Sequence, residues 1–434
     1  MTSLDHAADA IGADHARALD AADPLAGFRE RFYVPEGRVY LDGNSLGLLS
    51  RDAERSALAA IDQWKTLGID GWMRAEPDWF SIGERLGAAM AGLVGAEPDE
   101  VVVTGGTTVN LHSLVATFYA PTDGRRAIVA TELDFPSDVY ALQSQIALRG
   151  GDPATDLRRV ESRDGRTVDE ADLIGAMTGD VALVLLPSVL YRSGQLLDME
   201  RLTAAARERG IPIGFDCAHS AGVVPHALSR WGVDFAVWCS YKYLNAGPGA
   251  VGALYVNRRH AGVRPALSGW WGYDKARQFD MVHEWEGAAA AGAWQIGTPP
   301  VIATAPLVGS LAIFAEAGIA RVREKSLAQT AYLMDLIHAV GLTGAPYGYR
   351  VGTPRDDARR GGHVAVEHDA AARVARALKV RGVVPDFRAP NVVRLAPIPL
   401  YTSYHDLWTA VQALRAVIDA GEHLTGDDGR ELVA

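Results

Sequence analysis

A chain of 434 residues, 48% apolar and 22% charged, is long enough to bury the core of one large domain and of a smaller second one. Its formal net charge of −11, with acidic residues spread along the length, argues against a nucleic-acid or anionic-membrane surface and favours a small-molecule partner. Residues 1–24 have neither the basic start nor the apolar run of a secretory signal, no later apolar run has membrane-spanning length, and Cys217 and Cys239 sit in apolar segments, so a cytoplasmic chain with two buried thiols and no disulfide or metal site is expected.

Residues 1–25 read as a mobile or partly helical lead-in. A short strand at 39–41 then enters the polar turn Asp42-Gly43-Asn44-Ser45-Leu46-Gly47, where Asn44 and Ser45 serve either the turn itself or a ligand. Helical periodicity over 51–66 is followed by an aromatic loop holding Trp72 and Trp79, and by a helix that ends near Gly95. Next comes a strand from about 100, a Gly105-Gly106 turn, and Thr107-Thr108 opening a helix that runs to about Tyr119. That arrangement aims free N–H groups and two hydroxyls at one point, either to cradle a phosphate or to cap the helix; its glycine spacing is neither the dinucleotide fingerprint nor a P-loop. A strand at 127–131 leads to Phe135-Pro136-Ser137-Asp138, where a helix is expected with Ser137 as its cap and Phe135 either in the core or over a flat ligand. Strands follow at 181–186, ending in Pro187-Ser188, and at 211–216, ending in Asp216; a carboxylate at the end of a buried strand needs a partner.

The apolar strand 233–239 runs into Ser240-Tyr241-Lys242 and a glycine-rich loop. Only five of the 42 basic residues are lysines, so a lysine kept at such a strand end points to a need for an amine, which arginine cannot provide. Strand–helix alternation over 100–256 predicts an α/β sheet with ligands at the carboxyl ends of its strands. Beyond 257 come aromatic, glycine-bearing loops at 267–274 and 294–300, apolar helices from near 301 and near 322, a Gly/Pro/Arg-rich connector at 341–362, and a strand–helix–strand tail. The expected division is an N-terminal segment, 1–46, packing on the small domain; a large α/β domain, 47–320; and a small C-terminal α+β domain, 321–434. Lys242 for an aldehyde, Asp216 for a pyridine nitrogen and the Thr107-Thr108 helix start for a phosphate together suggest pyridoxal phosphate.

These segments also carry a family likeness. Leu41 to Gly47, Thr107 to His112, Phe135 to Asp138, Gly214 to His219, Ser240-Tyr241-Lys242-Tyr243-Leu244-Asn245, Gly269-Trp270-Trp271-Gly272 and Arg394-Leu395-Ala396-Pro397-Ile398-Pro399-Leu400-Tyr401 resemble the kynureninases. The resemblance implies a fold-type-I pyridoxal 5'-phosphate enzyme, with a large mostly parallel sheet domain and a smaller C-terminal α+β domain. It implies a homodimer with the active site at the subunit interface. Lys242 would bond to the cofactor aldehyde, Asp216 would pair with the ring nitrogen, His219 would support that edge, Phe135 would stack on the ring and Asp138 would serve nearby. Thr107, Thr108 and Tyr241, with Trp270 and Thr298 of the neighbouring subunit, would hold the phosphate. Arg394 would clamp the substrate α-carboxylate, with Asn44 and Ser45 close by, and Trp72, Trp271, Tyr273 and Gly297 would shape the aryl pocket.

The implied reaction is hydrolytic Cβ–Cγ cleavage of L-kynurenine to anthranilate and L-alanine, in tryptophan catabolism or NAD biosynthesis, with Tyr241 in proton traffic and the 3-hydroxy substrate less favoured. Where relatives often carry a small polar residue, this chain has Pro187-Ser188, which leaves open whether that loop hydrogen-bonds the cofactor. A desulfurase-like lyase, an aminotransferase and a non-catalytic cofactor-binding protein are the alternatives. Buried cysteines argue against the first, and retention of Lys242 with Arg394 against the last.

Overall fold

The computed structural model describes residues 11–425; residues 1–10 of the expected lead-in and 426–434 of the small domain lie outside the described residues. A short first strand, β1 (Val39–Tyr40), precedes the main sheet. That sheet is built from β2 (Val101–Val103), β3 (Ala127–Thr131), β4 (Leu157–Val160), β5 (Val181–Pro187), β6 (Ile213–Asp216), β7 (Phe235–Cys239) and β8 (Gly252–Val256), in the order β2-β8-β7-β6-β5-β3-β4. Every pairing is parallel except those of β8, which runs antiparallel to both β2 and β7. The central strands are near-continuous apolar runs because helices cover both faces. Alternate residues go to opposite sides: Ile128, Leu183, Phe235 and Leu254 pack with Leu111, Leu114 and Leu142, whereas Val129, Val184, Ala236 and Trp238 pack with Leu202, Ala206 and Leu307. β4 escapes a hydrophobic reading because it is an edge strand with two arginines, Arg158 and Arg159, and only Leu157 fully buried.

Helices begin where their local chemistry allows. Ser50 caps the helix Arg51–Leu67 by accepting from Ala53 N–H. The helix Pro136–Leu148 corrects the expected cap: Pro136 occupies its first position, Phe135 is the residue before it, and Ser137 lies inside the first turn, with no cap bond from a side chain. The two apolar helices are Val301–Ala317 and Ile319–Ala339, the second starting slightly earlier than expected, and they bend by 80° at Gly318, which adopts φ +76°. No single helix among the described residues is long and apolar enough to cross a membrane; this bent pair passes by length and composition, and its Leu307, Phe314, Leu333 and Leu336 are buried in the cores.

The C-terminal sheet is antiparallel, in the order β12-β13-β10-β9, from β9 (Arg350–Val351), β10 (Val364–Glu367), β12 (Asp386–Arg388) and β13 (Val392–Leu395), while β11 (Val383–Val384) pairs in parallel with β1. The helices Ile319–Ala339, Ala371–Val380 and Tyr404–Asp419 supply its second core. The N-terminal helix Ala13–Ala22 lies on this unit: Tyr332 Oη donates to Ile11 O at 2.8 Å, and Asp20 accepts from the N–H groups of Tyr404 and His405. Parallel strands bring the ends of β3, β5, β6 and β7 to one rim, facing the small domain's β13 across a seam.

Candidate active site

Lys242 stands in a tight turn after β7. Ser240 Oγ donates to Val251 O, Asn245 adopts φ +53°, and its N–H donates to Lys242 O at 3.0 Å. The 42–47 turn lies directly against it. Gly47 N–H donates to Tyr241 O at 2.8 Å, and a Cβ on Gly47 would stand 2.4 Å from Lys242 O and 2.2 Å from Asn245 Oδ1. The half-buried ammonium is 3.3 Å from His219 Nε2 and 5.9 Å from the ring centroids of both Phe135 and Tyr241. Tyr191 meets Phe135 edge-on at 5.3 Å.

Beneath that point lies a cluster of acids. Asp216 Oδ1 accepts from Ala218 N–H at 2.7 Å. Burial, and then the charges of Asp216 and Asp134 and a hydrogen bond with Asp216, pushes the Asp138 carboxyl well above the usual range. Asp134 is pushed up to about 7 by burial, against hydrogen bonds from Thr131. Burial, then the charges of Lys242 and Arg394, drives His219 well below its ordinary value, and its Nδ1 is buried without a partner. A protonated ring nitrogen is the group such a carboxyl pair would stabilise. At the end of β2 the helix Thr107–Phe118 begins after Gly106, which lends its first-turn N–H groups no side chain. Gly105, at φ +53°, sits so close to Asn110 Oδ1 that a Cβ would be 2.4 Å away. Thr107 is half-buried and Thr108 exposed. An amine, a pair of acids of which Asp138 is buried, and an uncapped helix start therefore fit pyridoxal phosphate on three separate counts.

Across the seam Arg394, 1% exposed, uses its Nε and Nη2 on Asp386, donates from Nη1 to Tyr191 O at 2.7 Å and from Nη2 to Ser45 Oγ at 3.1 Å. Its Nε side is thus taken by Asp386, which Arg388 also approaches at 3.0 Å, and the Nη1–Nη2 edge is the one that can exchange partners. Burial lowers the Arg394 pKa, with Asp386 opposing. Asn44 is buried with neither amide atom partnered. Ser188 is turned away: its hydroxyl bonds Asp216 O at 3.0 Å and Ser220 Oγ at 2.7 Å. Sequence reasoning passed over Asp134, Tyr191, His363 and Asp386. Asp134 carries the same signal as Asp216, an acid at a buried strand end, whereas His363, 5.9 Å from the His219 ring, and Asp386 reach the site only through the fold.

The remaining expected pocket residues gather at the β2 edge. Trp271 meets Trp72 at 5.3 Å and Phe80 at 5.6 Å, and Trp72 meets Trp79 at 5.8 Å. Trp271 (4% exposed) and Tyr273 are buried, Trp270 is 42% exposed, and Gly297 and Thr298 are exposed. The ring contacts of this cluster run among its own members, not to Phe135, Tyr241 or His219.

A sheet with one antiparallel strand next to its edge, a lysine after the strand beside that one, and an acid at the end of the next strand define a fold-type-I pyridoxal-phosphate enzyme. Solved structures share the fold: a mutant of C-DES with glycine covalently linked to the PLP cofactor (TM-score 0.75, 19% identity, covering 89% of this chain and 98% of that one), and the apo cysteine desulfurase of Thermococcus onnurineus NA1 (0.76, 17%, 91% and 98%). The chain belongs to the kynureninase family. It is 54% identical over 421 residues to the kynureninase of Geobacillus thermodenitrificans and 55% over 422 to that of Bacillus anthracis, in each case across 97% of this chain and 98% of the relative. The kynureninase C-terminal domain model matches residues 322–414.

Proposed function

We propose that the chain hydrolyses the Cβ–Cγ bond of L-kynurenine to anthranilate and L-alanine, with pyridoxal 5'-phosphate held at Lys242. The observation that carries this reading is the convergence of Lys242, His219 and the Asp138–Asp216 pair beneath Phe135. The cofactor supplies an aldehyde that captures amines and a ring that accepts an electron pair from the substrate carbon. Asp216, fixed at the end of β6, would pair with the ring nitrogen, and the neighbouring Asp138, raised by burial and then by the charges of Asp216 and Asp134, would back it as a protonated hydrogen-bond donor. His219, kept neutral, accepts from Lys242 Nζ and aims the amine that removes the Cα proton. Arg394 takes the substrate α-carboxylate on its Nη1–Nη2 edge, displacing Tyr191 O and Ser45 Oγ, beside Asn44. Burial raises the Tyr241 phenol, which keeps its proton as a donor near the phosphate.

Thr107 and Thr108 hold the phosphate, joined by Trp270 and Thr298 of a second copy in a homodimer. The exposure of Trp270, Gly297 and Thr298 at the β2 edge supports that sharing. Trp72, backed by Trp271 and Tyr273, shapes the aryl end, and the 3-hydroxy substrate is the less favoured one. Cytoplasmic residence and service in tryptophan catabolism or NAD biosynthesis belong to the same proposal. Cysteine desulfurisation would need an accessible thiolate, and Cys217 and Cys239 are 0% and 3% exposed, with both thiols pushed up by burial. The test is to mix purified protein with L-kynurenine while following visible absorbance and anthranilate fluorescence. Both signals are expected; bound cofactor without anthranilate would sink the reaction and leave the fold intact.

A further inference from the structure

We infer that Lys275 is a positioning residue for recognition of the substrate's aryl group: it grips Trp271 from beneath, and Trp271 in turn sets the face that Trp72 presents. This rests on the proposed kynurenine cleavage with Trp72 at the aryl end of the pocket. Lys275 is one of five lysines in the chain and is mostly buried, which is costly for an ammonium without a specific partner. Its Nζ lies 4.2 Å from the Trp271 ring centroid and 5.1 Å from that of Phe80, and it donates to Trp271 O at 3.0 Å. One ammonium thus holds both the indole face and the backbone of the same residue. Trp271 is itself buried and touches Trp72, the half-buried member of the pair.

The grip extends to a second loop. Glu84, on the helix Ile82–Val94, stands 3.7 Å from Lys275 Nζ, and its Oε1 accepts from Gln295 Nε2 at 2.6 Å. Gln295 opens the segment that carries Gly297 and Thr298, and Trp271 N–H reaches Ile296 O in it at 3.4 Å. The groups around Lys275 are Asp274 on its own loop, Glu286 and Arg277 paired beside that loop, Glu84 from the helix, and Asp99 from the turn before β2. A 340 Å³ cavity lined by Glu84, Asp99, Asp274 and Lys275 gives the ammonium a route to solvent protons. Burial depresses Lys275 to about 8, with Glu84 opposing, so the cation that grips Trp271 is present at neutral pH and is lost as pH rises past that value.

The test compares wild type, K275M and K275R as holoenzymes, measuring anthranilate release from L-kynurenine between pH 6.5 and 9.5. Loss of a partly desolvated cation–π contact is expected to raise KM about five- to twentyfold at pH 7 in K275M, with kcat changed by less than about twofold. Wild-type KM should climb as pH passes 8, and K275R, which keeps its charge, should hold a flat KM to pH 9.5. An unchanged KM in K275M, or a fall in kcat alone, overturns the assignment. A wild type that makes no anthranilate refutes the kynurenine reading instead. The position of Trp271 is then read from near-ultraviolet circular dichroism, where wild type should show a tryptophan transition near pH 8 that K275R lacks; a wild type without that transition overturns the role of Lys275. K275R and the wild-type pH series decide the matter even should K275M fail to fold.

Discussion

At the residue scale, burial does opposite things to acids and to histidines, and the two can be separated by pH. His226 is buried, bonds Ser220 Oγ through Nε2 at 2.8 Å, and is pushed down to about 4 by burial and then by Arg323. As pH falls through 6.5 the unfolded chain takes up this proton before the folded one does, so stability declines from there down to about pH 4. His363, pushed down to about 3, acts in the same sense. Asp134, raised to about 7, and Asp42, raised to about 6, act oppositely, because the folded carboxyl takes its proton first and acid adds stability. The difference between wild type and His226→Gln therefore isolates one group. Between pH 7 and pH 5 wild type should lose about 2 kcal/mol more than the variant, read from urea unfolding at the two values; parallel losses would mean that His226 is not neutral in the fold. The placement of individual residues was legible where the local pattern set it, as with Lys242 and Asp216 at strand ends and the Thr107-Thr108 pair at a helix start. Asp386 was not, because a surface-type segment becomes buried only when β12 pairs with β13 and puts it opposite Arg394.

At the element scale, the site depends on turns that leave no room for a side chain. Gly47 is the clearest case, since the Cβ of an alanine would meet not only the Asn245 Oδ1 tip but also the backbone at Lys242 O and Asn245 Cα, which cannot swing aside. Gly47→Ala should push the 42–47 turn off the lysine loop, destabilise by about 1–3 kcal/mol and lower the bound cofactor per chain, measured as visible absorbance against protein absorbance. Gly92→Ala, in the helix Ile82–Val94 with open space at its Cβ, is the control, expected to be neutral or to stabilise by up to ~1 kcal/mol. Equal cofactor loss in both would remove the packing argument. The buried strands and the long helices were readable from periodicity because burial on both faces leaves an apolar run. β4 was not, since an edge strand can be half polar, and neither was the start of the helix Pro136–Leu148, where proline at the first helical position set the boundary without a side-chain cap.

For the whole molecule, two features lie beyond what one chain's local sequence can express. The first is the seam between the two units. Arg166, in the loop after β4, sends two parallel hydrogen bonds of 2.7 Å to the buried Glu367 on β10, while Arg394 reaches Tyr191 O and Ser45 Oγ from β13, so substrate at Arg394 is felt by both sides of the seam. The second is the separation of Lys242 from the Trp270–Thr298 edge, which the shared-site proposal turns into a sharp expectation. Each site should take its lysine from one chain and its Trp270 from the other. Lys242→Ala and Trp270→Ala homodimers should then both be nearly inactive. After the two are dissociated, mixed in equal amounts and reassembled, half the dimers are hybrids, and each hybrid holds one site with both native residues. Anthranilate production should recover to about one quarter of the wild-type rate. Were Lys242 and Trp270 to serve the same site within one chain, every site in the hybrid would carry one defect and mixing would restore nothing.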